Sequence, residues 1–241
     1  MSKRTSIPSK DHFKSRMIFV LFLICSSINV IGEGLYIDSL ILFSKPLLLF
    51  LLFLFFFKNT RNTQFPVVTN WIIFALLASN LGDILLLMAG RNQGGTLFFL
   101  GGLGSFLMTH IAYALAFRKL SAGQSYSFPV VILLPMLVFW IGFNYTFSTA
   151  LSGIMKPAVG LYSMVILIMV YFSWRLHTAI SNTASQWVLW GALLFLISDT
   201  FVGFNKFGQD LITIPAIGVI IMSTYLAGQA LIVLGLVRML K

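Results

Sequence analysis

The feature that most constrains this chain is a series of apolar runs, each close to the length needed to cross a lipid bilayer. A membrane-spanning helix requires about 20 predominantly apolar residues. The polar segments between the runs are short, so the pattern predicts an all-α polytopic membrane bundle of about eight transmembrane helices. The predicted helices cover residues 17–35, 39–57, 67–89, 96–117, 128–147, 156–174, 185–204 and 213–237.

The composition agrees with a membrane protein and excludes several other classes. Hydrophobic residues make up 59% of the 241 residues and charged residues only 9%, whereas soluble domains carry about 25% charged residues. The net charge of +10 does not indicate nucleic-acid binding, because the basic residues stand at the ends of the apolar runs rather than along one polar face. We therefore expect no nucleic-acid partner.

The lysines and arginines also predict the orientation of the helices. They are concentrated on alternate connections, which the positive-inside rule assigns to the cytoplasm. Residues 1–16 form a basic segment before the first apolar run, and this run lacks a clear cleavage site, so we interpret it as a retained helix. We predict a cytoplasmic N-terminal segment at 1–16, a single transmembrane domain at 17–241, and both termini in the cytoplasm.

Two aspartates interrupt the apolar pattern. Asp83 follows Ser79-Asn80-Leu81-Gly82 in the third run, and Asp199 follows Ser198 in the seventh. A carboxylate at membrane depth costs about 2.5–3.5 kcal/mol on insertion scales, so such groups face a bundle interior or a cavity. Lys45 in the second run lies at a similar depth, about 7–10 Å inside the helix ends at 1.5 Å per residue. The three groups suggest one site, although Lys45 could instead simply neutralise an aspartate.

Other polar side chains within the runs have two possible roles. His110 in the fourth run, and Tyr225 and Gln229 one helical turn apart in the eighth, either contact a substrate or form hydrogen bonds between helices. Asn80 is a possible partner of the aspartates. Lys206 stands at the outer end of the seventh run, where a lysine normally extends to the membrane interface. With three histidines and one cysteine, we predict no metal site and no cofactor.

Several short motifs, taken in order, resemble the YhhN family of bacterial membrane proteins, whose vertebrate relatives are lysoplasmalogenases. Each motif is weak alone, but together they extend through nearly the whole chain. They are Ser44-Lys45-Pro46, Ser79-Asn80-Leu81-Gly82-Asp83, Phe99 to Tyr113 with Gly101, Phe106 and His110, then Tyr162, Ser198-Asp199, and Tyr225-Leu226-Ala227-Gly228-Gln229.

This resemblance implies a membrane-embedded hydrolase that cleaves the vinyl ether bond of lysoplasmalogen. The products are a fatty aldehyde and glycerophosphoethanolamine or glycerophosphocholine, and the partners are the lysophospholipid, water and membrane lipids. Catalysis is expected from Asp83 and Asp199 as an acid–base pair whose individual roles the sequence leaves open. The resemblance also implies a bacterial inner-membrane location. The expected substrate contacts are Lys45, Asn80, His110, Tyr113, Tyr225 and Gln229.

Two other classes of function fit the same buried charges. A transporter would use them as a solute or proton path, and it would normally show an internal repeat or interrupted helices. A noncatalytic lipid-binding or scaffold protein would keep its function when Asp83 and Asp199 are replaced by asparagine. Aldehyde release from a lysoplasmalogen therefore separates the enzyme from both alternatives.

Overall fold

The structure, a computed structural model, describes residues 10–91, 95–123 and 130–241, which form eight α-helices. Within these residues there is no β-strand. The all-α bundle predicted from the sequence is thus confirmed. The helices are α1 (Lys10–Leu35), α2 (Asp38–Thr60), α3 (Pro66–Ala89), α4 (Gly95–Leu120), α5 (Val130–Thr146), α6 (Met155–Ile180), α7 (Thr183–Phe207) and α8 (Ile217–Leu240).

Seven of these helices are long and apolar enough to cross a membrane, and the protein is an integral membrane protein. The exception is α5, which has only 17 residues and carries Pro135 inside it. At 1.5 Å per residue this is about 25 Å, shorter than the run of 128–147 expected from the sequence. Pro129, the other proline of that run, lies outside the described residues.

The helices form a ring in which each packs against its neighbours. Contacts run in the order α1, α2, α3, α4, α6, α7, α8 and back to α1, while α8 also reaches α2. Among the described helices, α5 stands outside this ring and packs mainly against α6. Because the connections are short, successive helices run in opposite directions, and every second connection lies at the same end of the bundle.

Both ends of the described chain lie at the same end of the bundle. Asn59 at the end of α2 donates a 2.6 Å hydrogen bond to Ser15 of α1. Lys241 donates to the Asn59 side-chain oxygen at 2.9 Å, and Thr63 donates to the Leu240 carbonyl at 3.0 Å. These contacts join the start of α1, the connection between α2 and α3, and the end of α8.

Glycines allow two helix pairs to approach closely. A Cβ atom on Gly191 of α7 would lie 2.6 Å from the Gly228 carbonyl oxygen of α8, and one on Gly235 would lie 2.5 Å from the Ala184 carbonyl. A Cβ atom on Gly82 of α3 would lie 2.8 Å from the Phe106 ring of α4. Small residues thus let the helices that carry Asp83, Asp199 and Tyr225 pack backbone to backbone or backbone to ring.

The proposed domain division stays a prediction. Residues 1–9 lie outside the described residues, and α1 already begins at Lys10, within the basic segment predicted at 1–16. The predicted placement of the termini in the cytoplasm likewise stays a prediction, although the start of α1 and the end of α8 lie at one end of the bundle.

Candidate active site

A cavity of about 310 Å³ opens at the end of the bundle opposite the termini. It lies where α1, α3, α5 and α7 end and α2, α4, α6 and α8 begin. Its polar lining combines carboxylates, lysines and tyrosines, while apolar side chains cover most of the remaining wall. The polar lining residues are Glu33, Lys45, Asp83, Tyr162, Ser198, Asp199, Asn205, Lys206 and Tyr225.

Asp83 stands at the buried base of this cavity, where only 3% of it is exposed. The Tyr225 hydroxyl of α8 donates a 2.8 Å hydrogen bond to Asp83 Oδ2. Lys45 is close enough to interact with Asp83 electrostatically, and its Nζ also lies 3.8 Å from Glu33 Oε1. Asp83 therefore accepts one short hydrogen bond from Tyr225, and the ion pair of Lys45 and Glu33 lines the same cavity.

Asp199 lies in a different polar environment. Its Oδ2 accepts a 2.5 Å hydrogen bond from the Tyr162 hydroxyl, and His110 Nε2 lies 3.1 Å from the same oxygen. His110 Nε2 is also 3.0 Å from the Tyr162 hydroxyl, so the three groups form a closed triangle. Three helices, α4, α6 and α7, contribute one side chain each to this cluster.

The tautomer of His110 follows from its burial. The ring is fully buried, and its Nδ1 has no hydrogen-bond partner among the described residues. A buried N–H without an acceptor is costly, so the neutral ring carries its proton on Nε2 and donates it within the Tyr162–Asp199 cluster. The Phe195 ring packs edge to face against the imidazole at 4.7 Å between centroids and fixes its plane.

The two aspartates therefore share one cavity, each with its own tyrosine. Asp83 of α3 and Asp199 of α7 both line it. One carboxyl group that holds a proton and one that is ionised can together deliver and remove protons at a reacting centre. The different partners of Asp83 and Asp199 make such a division of roles possible.

Three of the predicted substrate contacts do not line the cavity, and two of them, Tyr113 and Gln229, belong to a buried hydrogen-bond network. The Tyr113 hydroxyl donates to Gln229 Oε1 at 2.7 Å, and Gln229 Nε2 donates to the Ser79 hydroxyl at 3.0 Å. Ser79 in turn bonds Thr109 at 3.1 Å. Tyr113, Gln229 and the half-buried Asn80 do not line the cavity, and Asn80 Oδ1 has no partner among the described residues.

His110 also does not line the cavity directly and reaches it only through Asp199 and Tyr162. The predicted contacts Lys45 and Tyr225, by contrast, do line it together with both aspartates. The roles of all eight residues stay predictions, since geometry alone assigns none of them.

Five polar cavity-lining residues were not among the predicted site residues: Glu33, Tyr162, Ser198, Asn205 and Lys206. For Tyr162 the signal in the sequence is a hydroxyl-bearing ring near the start of the sixth apolar run. Glu33 is a lone acid between two glycines at the end of the first run. Lys206 is seven residues after Asp199, so the two residues share a helix face.

Within the residues that the structure describes, no group of three or more His, Cys, Asp or Glu side chains is arranged to hold a metal ion.

The fold and the cavity together define a helical integral membrane protein in which two aspartates, one buried and one half-buried, line one cavity. The chain belongs to the YhhN family, whose model matches residues 40–236. It is 31% identical to lysoplasmalogenase TMEM86A of Bos taurus over 237 residues, which cover 94% of this chain and 87% of the relative. No solved structure gives a significant match.

Two human relatives extend this comparison. Lysoplasmalogenase TMEM86A of Homo sapiens is 30% identical over 237 residues, with 94% of this chain covered. Lysoplasmalogenase TMEM86B of Homo sapiens is 30% identical over 164 residues, which cover 68% of this chain and 62% of the relative. The motifs that suggested the family from the sequence, including Asp83 and Asp199, all lie within the matched residues 40–236.

Proposed function

We propose that this protein is a lysoplasmalogenase-like hydrolase that cleaves the vinyl ether bond of a lysoplasmalogen. The observation that carries this proposal is the meeting of Asp83 and Asp199 in one cavity whose remaining wall is largely apolar. Relatives named lysoplasmalogenase, similar over most of the chain, support the same activity.

The apolar wall of the cavity is suited to an alkenyl chain. Burying such a chain contributes about 0.8 kcal/mol per methylene group, which favours a substrate with a long hydrocarbon tail. The polar groups lie at its base and mouth, where the ether and the headgroup of a lysolipid would be. The apolar lining residues are Leu86, Phe99, Leu103, Phe106, Phe143, Val159, Val202, Ile221 and Met222.

The reaction begins with proton transfer to the vinyl carbon that is remote from the ether oxygen. We assign this proton to Asp83, because this carboxyl is almost fully buried and, among the described residues, accepts a side-chain hydrogen bond from Tyr225 alone. Burial favours the neutral form of a carboxyl group. The C–H bond forms as the Asp83 O–H bond breaks, and an oxocarbenium ion results.

Asp199 then acts as the ionised partner. The Tyr162 hydroxyl and His110 both direct hydrogens at its Oδ2, and donors of this kind favour the charged form of a carboxylate. Asp199 stabilises the cation and takes a proton from the attacking water, which gives a hemiacetal. In its collapse Asp83 removes the hydroxyl proton and Asp199 protonates the departing glycerol oxygen, so both side chains return to their starting states.

The first test is aldehyde release by the purified protein in detergent from a defined lysoplasmalogen. Asp83→Asn and Asp199→Asn should each lower the rate by about 10²–10⁴-fold, the usual contribution of general acid–base catalysis. Asp210→Asn is the matched control, since Asp210 is exposed and outside the cavity, and it should retain activity. Full activity in either cavity variant would refute the mechanism.

A second experiment separates the acid from the base. In heavy water, the Asp199→Asn variant should still form the oxocarbenium ion but fail to capture it, so deuterium accumulates in the vinyl group of recovered substrate. The Asp83→Asn variant should show no such exchange. The reverse pattern would exchange the two roles.

Neither the cavity nor the comparisons with known proteins favour a transporter.

The orientation in the membrane is part of this proposal. The basic residues Lys14, Arg16, Lys58, Arg118, Arg175 and Arg238 belong to helix ends at the same end of the bundle as the termini. The positive-inside rule therefore supports a cytoplasmic location for that end and a cavity that opens on the opposite side. A bacterial inner membrane agrees with the resemblance to bacterial YhhN proteins, although the curated relatives are mammalian.

A further inference from the structure

Lys206 is a cation at the mouth of the cavity that is not paired with a carboxylate. It is exposed in the last turn of α7 and lines the cavity. Within the part of the chain that the structure describes, no carboxylate oxygen lies within 4.0 Å of its Nζ. Two other cations near this end are paired, Lys45 with Glu33 at 3.8 Å and Arg91 with Asp38 at 3.1 Å, and Lys156, which also lies at this end, does not line the cavity.

The Lys206 side chain is nevertheless held in place. Its Nζ lies over the Phe99 ring, 5.2 Å from the centroid, and Phe99 itself packs edge to face against Phe207 at 5.8 Å. A cation–π contact orients an ammonium group while leaving its N–H donors available.

The position of Lys206 relative to Asp199 fits a glycerophospholipid. Seven residues separate the two on α7, which is almost two turns and about 10 Å along the helix axis. Both side chains therefore face the cavity, one at its base and one at its mouth. In a lysoplasmalogen the glycerol backbone separates the vinyl ether oxygen from the phosphate. A substrate with its ether near Asp199 thus directs its phosphate toward the mouth.

We propose that Lys206 binds the phosphodiester oxygens of the lysolipid substrate and makes the enzyme selective for ether lipids that carry a phosphate. The neighbouring Asn205 amide, which also lines the cavity, provides a second donor beside it. This inference rests on the proposed hydrolase function for its substrate, but the phosphate contact is an independent property of the cavity mouth. Lys206 does not take part in the chemical step.

The test compares two substrates in an alkyl maltoside detergent, so that no bilayer phosphate is present. One is an alkenyl glycerophosphoethanolamine and the other is the alkenyl glycerol that lacks the phosphate. Lys206→Gln should lower kcat/KM for the first by about tenfold, the order expected for a hydrogen bond to a charged group. It should leave kcat/KM for the second unchanged. Lys156→Gln is the matched control, an exposed lysine in the first turn of α6 that does not line the cavity, and it should change neither value.

Equal losses on both substrates, or no loss on either, would overturn the proposal. A binding measurement separates this failure from failure of the hydrolase function. The saturated alkyl glycerophosphoethanolamine, which cannot be cleaved by this route, should bind the wild-type protein about tenfold more tightly than Lys206→Gln. If that difference is found but no aldehyde is released, the phosphate site stands and the hydrolase function fails. If aldehyde is released but neither kcat/KM nor binding depends on Lys206, the hydrolase function stands and the phosphate site is refuted. The phosphate site is also refuted if the analogue binds the wild-type protein and Lys206→Gln equally well, or binds neither.

Discussion

The Tyr225 hydroxyl in α8 donates a 2.8 Å hydrogen bond to Asp83 Oδ2 in α3, although 142 positions separate the two residues in the chain. The Phe106 and Phe195 rings pack edge to face against the Tyr225 ring, at 5.8 and 5.2 Å between centroids. This aromatic cage fixes the direction of the hydroxyl group. The proposed acid is thus held by a donor that has no freedom to turn away.

Replacing Tyr225 by phenylalanine should lower kcat by about 10–100-fold. The change removes the hydrogen bond that stabilises the carboxylate left when Asp83 gives up its proton, worth about 1.5–3 kcal/mol, while the ring and its packing remain. Aldehyde release under saturating substrate measures the effect, and kcat should fall even where loss of this buried hydrogen bond also lowers the thermal midpoint in detergent. A fall in the thermal midpoint without a fall in kcat would mean that Tyr225 serves stability rather than turnover.

Tyr113→Phe provides the contrasting case, since Tyr113 does not line the cavity. The change leaves the buried Gln229 Oε1 without its 2.7 Å donor, at a cost of about 1–3 kcal/mol of stability. We expect a lower thermal midpoint with KM unchanged. A raised KM with unchanged stability would instead support the substrate-binding role predicted from the sequence for Tyr113 and Gln229.

His110 should act by positioning Asp199 through its Nε2 atom. The amide nitrogen of glutamine reaches about as far as Nε2, whereas that of asparagine is shorter. His110→Gln is therefore expected to retain more activity than His110→Asn, with kcat rather than KM changed in both. Equal activity of the two variants would argue against a donor role for Nε2 at the 3.1 Å contact.

The close contact between α7 and α8 predicts a stability difference between two glycines. Gly191→Ala places a Cβ atom 2.6 Å from the Gly228 carbonyl oxygen, and overpacking of this kind costs about 1–3 kcal/mol. Gly104→Ala is the control, because a Cβ atom on that helical glycine meets no atom within 4 Å. The thermal midpoint in detergent should fall for Gly191→Ala alone; an equal fall for both would contradict the packing argument.

The orientation can be tested with single cysteines in a Cys25→Ser background, since Cys25 is the only cysteine in the sequence. Asp210→Cys and Arg61→Cys place exposed thiols at opposite ends of the bundle. In intact cells a membrane-impermeant maleimide should label the first and not the second. Labelling of Arg61→Cys alone would invert the proposed topology.

The helices could be predicted from the sequence because each depends on a local property. A run of apolar residues must form hydrogen bonds within itself in lipid, so the bounds of α3, expected at 67–89 and observed at Pro66–Ala89, follow from composition and length. The aspartates were accessible for a related reason, since a charge at membrane depth needs a cavity or a partner. The short α5 was harder to predict, because Pro129 and Pro135 left its beginning poorly defined.

The hydrogen-bond partners of those polar groups could not be predicted from the sequence in this way. The sequence of a helix that contacts apolar surroundings on nearly every side shows little apolar–polar periodicity, so it does not reveal which residue lies on which face. Tyr113 and Tyr225 both looked like site residues, yet one bonds Gln229 away from the cavity and the other bonds Asp83 in the cavity. Tyr162 gave only a weak signal, although its hydroxyl lies 2.5 Å from Asp199.

The sequence by itself thus determined an all-helical membrane protein, its family and the position of two aspartates within its apolar runs, because the membrane imposes its cost on each residue locally. Only the tertiary structure decided that Tyr225 bonds Asp83, that Tyr162 and His110 surround Asp199, and that Lys206 faces the cavity mouth. These relationships depend on the rotation and close approach of α3, α4, α6, α7 and α8. Those quantities are set by packing between residues far apart in the chain, which no local pattern contains.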